Sequence, residues 1–243
     1  MSKQTVSEIS PEVEPVTYDM RGVIAGIKRT FPVGISIFAY GLIFGVLSGQ
    51  AGLRPFEALL MSSLVYAGSA QFAVLGMWIA PLPAASIIIT TLIINLRHVL
   101  MGAALYPWFS QLSPLKRYLT AYLMTDESWA LTMGEYMNGR RNAGFLLGSG
   151  IVAFTAWNGS TIAGQLLGGV VQDPAKYGLD FAFTAVFIAL LLGLWRGKGD
   201  LLPWGVAALV AIVVSQALPG KWYILAGGFA GSLMGAWTYG RKS

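Results

Sequence analysis

The chain has 243 residues, 55% of them hydrophobic and only 11% charged, against about 25% charged in an ordinary soluble domain. A buried core cannot explain that deficit, and the length is taken up by roughly seven to nine membrane spans of about 20 residues each, which leaves no room for a soluble domain. The net charge of +5 reads as Lys and Arg in membrane-flanking loops rather than a nucleic-acid surface. With no cysteine and one histidine, thiol catalysis and a disulfide framework are excluded, a metal site is disfavoured, and no cofactor is expected.

Residues 1–19 hold Glu8, Glu12, Glu14 and Asp19 with Pro11 and Pro15, the composition of a disordered tail on the cytoplasmic side. No apolar stretch followed by a cleavage site appears there, so no removable signal peptide is expected. Over 20–30, Met20, Val23, Ile24 and Ile27 follow helical spacing, with Arg21, Lys28 and Arg29 elsewhere on the surface. An amphipathic helix lying on the membrane surface fits, as does a helical extension of the first span.

Eight apolar segments follow, at about 31–50, 57–80, 83–107, 118–138, 144–171, 180–196, 201–218 and 222–239. Arg54-Pro55, Pro81-Leu82-Pro83, Ser113-Pro114, Arg140-Arg141, Asp173-Pro174 and Pro219-Gly220-Lys221 are among the breaks between them. In hydrocarbon the backbone must bond to itself, and these runs are too long and continuous for barrel strands. The fold class expected is an all-α polytopic membrane protein of about eight transmembrane helices, with seven as the alternative count, forming one transporter domain over 20–243. A four-plus-four repeat fits the glycine-rich first and fifth spans, but too few residues match to carry it.

Loop charge orients the chain. With the N-terminus inside, the inner segments hold Lys3, Arg21, Lys28, Arg29, Arg140, Arg141, Arg196, Lys198, Arg241 and Lys242, and the outer loops Arg54, Lys116, Arg117, Lys176 and Lys221. The bias is in the direction that places both termini in the cytoplasm. Treating the second and third segments as one re-entrant pair nearly abolishes it. Small residues recur every four positions as Gly41, Gly45 and Gly49, as Gly227, Gly231 and Gly235, and along the fifth span from Ser149 to Gly168. Such spacing lets helix backbones approach closely, within this chain or against a membrane partner. Trp78, Trp108, Trp195, Trp204 and Trp222 fall near span ends, where interfacial anchors belong.

Polar residues gather at the span midpoints. The second span centres on Tyr66-Ala67-Gly68-Ser69-Ala70-Gln71, the third on Asn95 beside Arg97 and His98, the fourth on Asp126 and Glu127, the fifth on Trp157-Asn158. A charge at the bilayer centre costs roughly 2.5–3.5 kcal/mol even on lenient insertion scales, so such groups pair or line a polar cavity. Secondary transporters bind substrate at this depth. At helical spacing, Ser62, Tyr66 and Ser69 share one stripe, Thr91, Asn95, His98 and Gly102 another, and Asn158, Thr161 and Gln165 a third. Candidate substrate contacts are Tyr66, Gly68, Ser69, Gln71, Asn95, Arg97 and Asn158; interhelical hydrogen bonding is the alternative for the neutral ones. Arg97 either anchors a carboxylate or pairs with Asp126. Asp126 or Glu127 either carries a proton and meets an ammonium group or belongs to that pair. His98, whose ordinary pKa suits proton coupling, is otherwise a packing histidine. No phosphate-cradling loop, zinc pair or serine-nucleophile motif is present.

Three runs, Ser63 to Phe72, Asn95-Leu96-Arg97-His98-Val99-Leu100-Met101-Gly102 and Thr125-Asp126-Glu127-Ser128, resemble the AzlC family in content and order, and the likeness extends over roughly residues 20–240. The resemblance implies a bacterial inner-membrane exporter of branched-chain amino acids (valine, leucine, isoleucine, and methionine as a further candidate). It also implies a small hydrophobic AzlD-like partner subunit. Proton coupling is the expected driving force. The alternatives are an exporter of another small solute, an intramembrane enzyme using His98 with Asp126 or Glu127, and a structural membrane subunit.

Overall fold

A computed structural model describes residues 15–170, 188, 192, 195, 197–218 and 222–240. The described chain is helical: α1 Met20–Gln50, α2 Pro55–Leu64, α3 Gly68–Leu75, α4 Ala84–Phe109, α5 Pro114–Tyr122, α6 Asp126–Met137, α7 Gly144–Val170, and, after a 3-10 turn at Lys198–Asp200, α8 Leu201–Ala217 and α9 Trp222–Gly240. Among the described residues, Met20–Gln50, Ala84–Phe109 and Lys198–Ala217 are long and apolar enough to cross a membrane. The segment expected at 180–196 lies, but for three residues, outside the described chain.

Of the two readings of residues 20–30, the structure takes the helical extension: they continue without interruption into 31–50 as one helix. It departs from the sequence expectations at three places. The last residues of the expected tail are ordered: Thr17 donates its N–H to Arg141 O at 2.9 Å and accepts from Ala143 N at 2.9 Å. Asp19 then takes the Gly22 N–H at 3.0 Å, satisfying a donor that the start of α1 leaves open. Finally, the second and fourth spans are each broken in two, α2 from α3 at residues 65–67 and α5 from α6 at residues 123–125.

Residue contacts gather into two units, 1–35 with 98–154 and 36–97 with 155–243; α1, α4 and α7 contribute a stretch to each. In the first unit, Met101, Leu105, Trp108, Phe109 and Leu112 pack with Met124, Ala143 and Leu146. Trp108 is thus a core residue, 1% exposed, and not the interfacial anchor its place near a span end implied. Its ring meets Tyr136 edge-on at 4.9 Å between centroids. The end of α4 is closed by Arg117, whose guanidinium donates to the carbonyls of Phe109, Ser110 and Leu112, each at 3.0 Å. These carbonyls lie at or just past the end of α4, where the intrahelical ladder runs out. Thr30 donates to Ser149 at 2.9 Å where α1 meets α7. A Cβ on Gly26 would strike the Phe145 carbonyl there, and one on Gly148 the Val23 carbonyl.

In the second unit the same two helices meet through Gly45 and Gly164. A Cβ on either would run into the backbone of the other helix. The first-span glycine stripe therefore packs on the fifth-span small-residue ridge. The last stripe packs within the chain as well: a Cβ on Gly227 or Gly231 would meet Ala207 of α8. Small residues remove the side chains that would hold two backbones apart, so dispersion and side-chain hydrogen bonds act at short range.

Candidate functional site

The break between α2 and α3 organises the polar residues of the second unit. Val65 ends α2 in helical conformation, and Ala67 is extended at φ −143°. Tyr66 between them has φ 43°, a left-handed conformation that costs a residue with a Cβ free energy and persists only where its surroundings impose it. Tyr66 is 7% exposed, so its ring is held in the interior. The chain then restarts at Gly68, and Ala67 at the N-cap offers no side-chain acceptor.

A closed cycle of buried hydrogen bonds spans this break. The Trp157 indole N–H donates to Gln71 Oε1 at 3.0 Å. Gln71 Nε2 donates to Ser62 Oγ at 3.1 Å. Ser62 and Thr161 share a hydrogen bond of 2.8 Å, and Thr161 Oγ1 donates to the Trp157 carbonyl at 2.9 Å. Since Thr161 spends its proton on that carbonyl, Ser62 is the donor to Thr161, and each hydroxyl in the cycle both gives and receives. Ser63 Oγ donates to Asn158 Oδ1 at 2.8 Å beside it. Gln165 Nε2 reaches Ser48 Oγ at 2.8 Å and Leu53 O at 3.2 Å. The Trp157 ring lies against Phe44, with centroids 5.6 Å apart, and it faces Gly68, where a Cβ would approach the indole to 3.0 Å.

Arg97, on α4, donates from Nη2 to Ser69 Oγ at 2.8 Å. Ser69 is the second residue of α3, so a guanidinium stands at the N-terminal turn of a half-helix. That end carries partial positive charge and its N–H groups point along the axis. An arginine added there makes the region attractive to a carboxylate. Asn95, two residues earlier, has its Oδ1 buried without a hydrogen-bond partner.

Of the expected substrate contacts, the second unit contains Tyr66, Gly68, Ser69, Gln71, Asn95, Arg97 and Asn158. Gln71 and Asn158 are engaged in the bonds above, which gives both a part in holding the break. The single helical stripe expected for Ser62, Tyr66 and Ser69 is cut by the break. Ser62 and Gln71 meet only because the chain turns between them.

His98, Asp126 and Glu127 belong to the first unit. The two acids occupy the first turn of α6, not the middle of a continuous helix. Thr125 caps that helix: Thr125 Oγ1 accepts from Ser128 N at 3.3 Å, and Thr125 N donates to Ser128 Oγ at 2.8 Å. Both carboxylates therefore sit at a helix N-terminus, where the dipole favours negative charge by about 0.3–1 kcal/mol or more. Asp126 is half-buried and Glu127 exposed.

Sequence reasoning undervalued Trp157. It is a tryptophan at a span midpoint rather than at an end, with an N–H that needs an acceptor there, and that position was the available signal. Gln71→Leu is expected to lower stability by about 1–3 kcal/mol by stranding the buried indole N–H. Adding Trp157→Phe should then cost much less than it does alone. A double-mutant cycle on thermal unfolding checks this, and additive effects would show that the bond carries no coupling.

The profile of the AzlC protein family matches residues 32–171. The chain belongs to the AzlC family. It is a membrane protein, 30% identical over 216 residues to an uncharacterised membrane protein of Archaeoglobus fulgidus, covering 87% of this chain and 93% of that one. It is also 30% identical to the inner membrane protein YgaZ of Escherichia coli, over 79% of this chain and 80% of the relative. To the branched-chain amino acid transport protein AzlC of Bacillus subtilis it is 24% identical, over 80% of this chain and 78% of the relative. No solved structure matches.

Proposed function

We propose that this AzlC-family member is a secondary transporter subunit that exports branched-chain amino acids across the bacterial inner membrane, using the proton gradient. The observation that carries the proposal is the Arg97 guanidinium, bonded to Ser69 at the start of α3. A zwitterionic substrate needs a cationic, donor-rich site for its carboxylate. A half-helix N-terminus with an arginine fork supplies both features. Gly68 precedes Ser69 at the start of α3, Tyr66 lies in the break before it, Asn95 stands two residues before Arg97 on α4, and Asn158 accepts from Ser63 at the end of α2; Gln71 holds the two half-helices together. The B. subtilis relative, a branched-chain amino acid transport protein, supports amino acids as substrates.

Proton coupling falls to Asp126, Glu127 or His98. Both acids stand in the first turn of α6. Counterflow of labelled valine in proteoliposomes tests transport itself; absence of counterflow with every branched-chain amino acid would reject it. Asp126→Asn or Glu127→Gln at the coupling position is expected to abolish uptake driven by a pH gradient while leaving exchange. Normal gradient-driven transport in both variants would remove the acids from coupling.

In the bilayer the chain adopts eight spans with both termini in the cytoplasm, the arrangement that the loop charge favours. A reporter fused after Ser243 should then be active only on the cytoplasmic side. Activity on the outer side would require seven spans. A small hydrophobic AzlD-like subunit completes the transporter, and pulldown in mild detergent followed by intact mass would reveal it.

A further inference from the structure

In the first unit, α4 ends at Phe109 and α5 begins at Pro114, and both of these helix ends lie beside the start of α1. Val16, just before α1, donates its N–H to Gln111 Oε1 in the connection between them at 3.0 Å. Tyr18 shares a hydrogen bond of 3.0 Å with Thr120 of α5, and Lys116 stands 4.9 Å from the centre of the Tyr18 ring.

From there α5 climbs along α7. A Cβ on Gly150 would strike the carbonyl of Leu123, which ends α5, and the Tyr122 ring lies 6.2 Å from that of Phe154. After the break at 123–125, α6 comes back beside α4. Trp129 Nε1 donates to Met101 O at 3.1 Å, and further along both helices Tyr136 meets Trp108. The step from Met101 to Trp108 equals the step from Trp129 to Tyr136, so the two helices run in the same direction and α6 ends where α4 ends. Just beyond, Arg141 O accepts the Thr17 N–H at 2.9 Å. The 9 residues of α5 and 12 of α6 measure about 14 and 18 Å at 1.5 Å per residue, against about 30 Å of hydrocarbon.

We infer that α5 and α6 form a re-entrant hairpin, which enters the membrane from the cytoplasmic face, returns to it, and carries Asp126 and Glu127 at its tip. The inference rests on the cytoplasmic N-terminus proposed above and refines the eight spans. Helices α1 and α4 are each long and apolar enough to cross. Because α4 ends at the cytoplasmic face, it starts at the outer one, where α1 has already delivered the chain. Residues 51–83 therefore begin and end outside, and α2 and α3, of 10 and 8 residues, form a second hairpin entering from the opposite face. Six of the eight spans cross, and both termini stay cytoplasmic. Loop charge agrees. Lys116 and Arg117 join the inner set and leave Arg54, Lys176 and Lys221 outside, so the bias rises from ten against five to twelve against three. A break at membrane depth is tolerated where protein satisfies its backbone, and the reciprocal Thr125–Ser128 bonds do so at this tip.

The chain has no cysteine, so single introduced cysteines report sides. Ser113→Cys and Ala84→Cys stand at exposed positions in the two connections whose side is at issue. Asn138→Cys is a cytoplasmic reference and Arg54→Cys an outer one under either count. Each full-length variant is treated with a membrane-impermeant maleimide in sealed right-side-out vesicles, and again after permeabilisation to show that the thiol reacts. Ser113→Cys is expected to lose labelling in sealed vesicles, as Asn138→Cys does. Ala84→Cys is expected to keep it, as Arg54→Cys does. Eight full crossings require the reverse at both positions, so labelling of Ser113→Cys from outside with Asn138→Cys protected overturns the hairpin. Labelling of Ser113→Cys and Asn138→Cys together from outside overturns the cytoplasmic placement instead. Neither result touches the transport proposal, which counterflow tests separately. Ser110→Cys, in the same connection, repeats the measurement should Ser113→Cys fail to fold.

Discussion

Replacing Arg97 by lysine is expected to weaken valine and leucine binding by roughly ten- to a hundredfold, the range set by losing one or two charge-assisted hydrogen bonds. Lysine keeps the positive charge near the start of α3 but cannot present two parallel N–H groups to a carboxylate. Its ammonium also cannot donate to Ser69 and hold a substrate in the same planar geometry. Arg97→Ala should lose binding altogether. Ser69→Ala should have a smaller effect, because Ser69 orients the guanidinium through a single bond of 2.8 Å. Binding of labelled valine to purified protein, with thermal unfolding measured in parallel, is the test. An amine analogue lacking the carboxylate supplies the control, as its binding should be indifferent to the arginine. Wild-type valine affinity in Arg97→Ala would end the carboxylate-anchor reading.

Gly164→Leu is expected to be among the most destabilising single changes in the second unit. Even the first carbon of a side chain at this position would run into the Leu42 carbonyl and lie 2.9 Å from Gly45 Cα. These obstacles are backbone atoms, so no rotamer relieves them and α1 must move away from α7. Overpacking of this kind costs about 1–3 kcal/mol or more. Displacement would also pull Gln165 from Ser48 and from the Leu53 carbonyl. Gly159, on the same helix, has open space where its Cβ would be. Gly159→Ala should therefore be neutral or stabilise by up to about 1 kcal/mol through helix propensity. Thermal midpoints of Gly164→Ala, Gly164→Leu and Gly159→Ala decide it; equal midpoints for the two alanine variants would show that the helices do not meet at Gly164.

Much of this was legible in the residues alone. Low charge and long apolar runs determined a helical membrane protein, because an unpaired backbone cannot be left in hydrocarbon. The runs around Gly68, Arg97 and Asp126 carried the family resemblance, and the glycine spacing announced close helix contacts. Hydropathy counts transfer free energy residue by residue, however, and it is blind to where the hydrogen-bond ladder stops. The segment from Glu57 to Ala80 therefore read as one helix. Only the packed structure decides that the chain breaks at Tyr66, where burial of the ring and the Trp157–Gln71–Ser62–Thr161 cycle outweigh the local cost of φ 43°. The fourth segment did contain a local signal, Thr125 three residues before Ser128, a reciprocal cap that the surrounding apolar residues masked. The same distinction governs Trp108 and Trp157. Their types and positions were plain, but a tryptophan's role depends on which neighbours enclose it and which acceptor meets its N–H. Residue identity thus determined the solvent this chain lives in and the chemistry it carries. Tertiary contacts alone decided which polar groups support the break and which stand at a helix end, because those contacts join residues far apart in sequence whose local propensities do not specify one another.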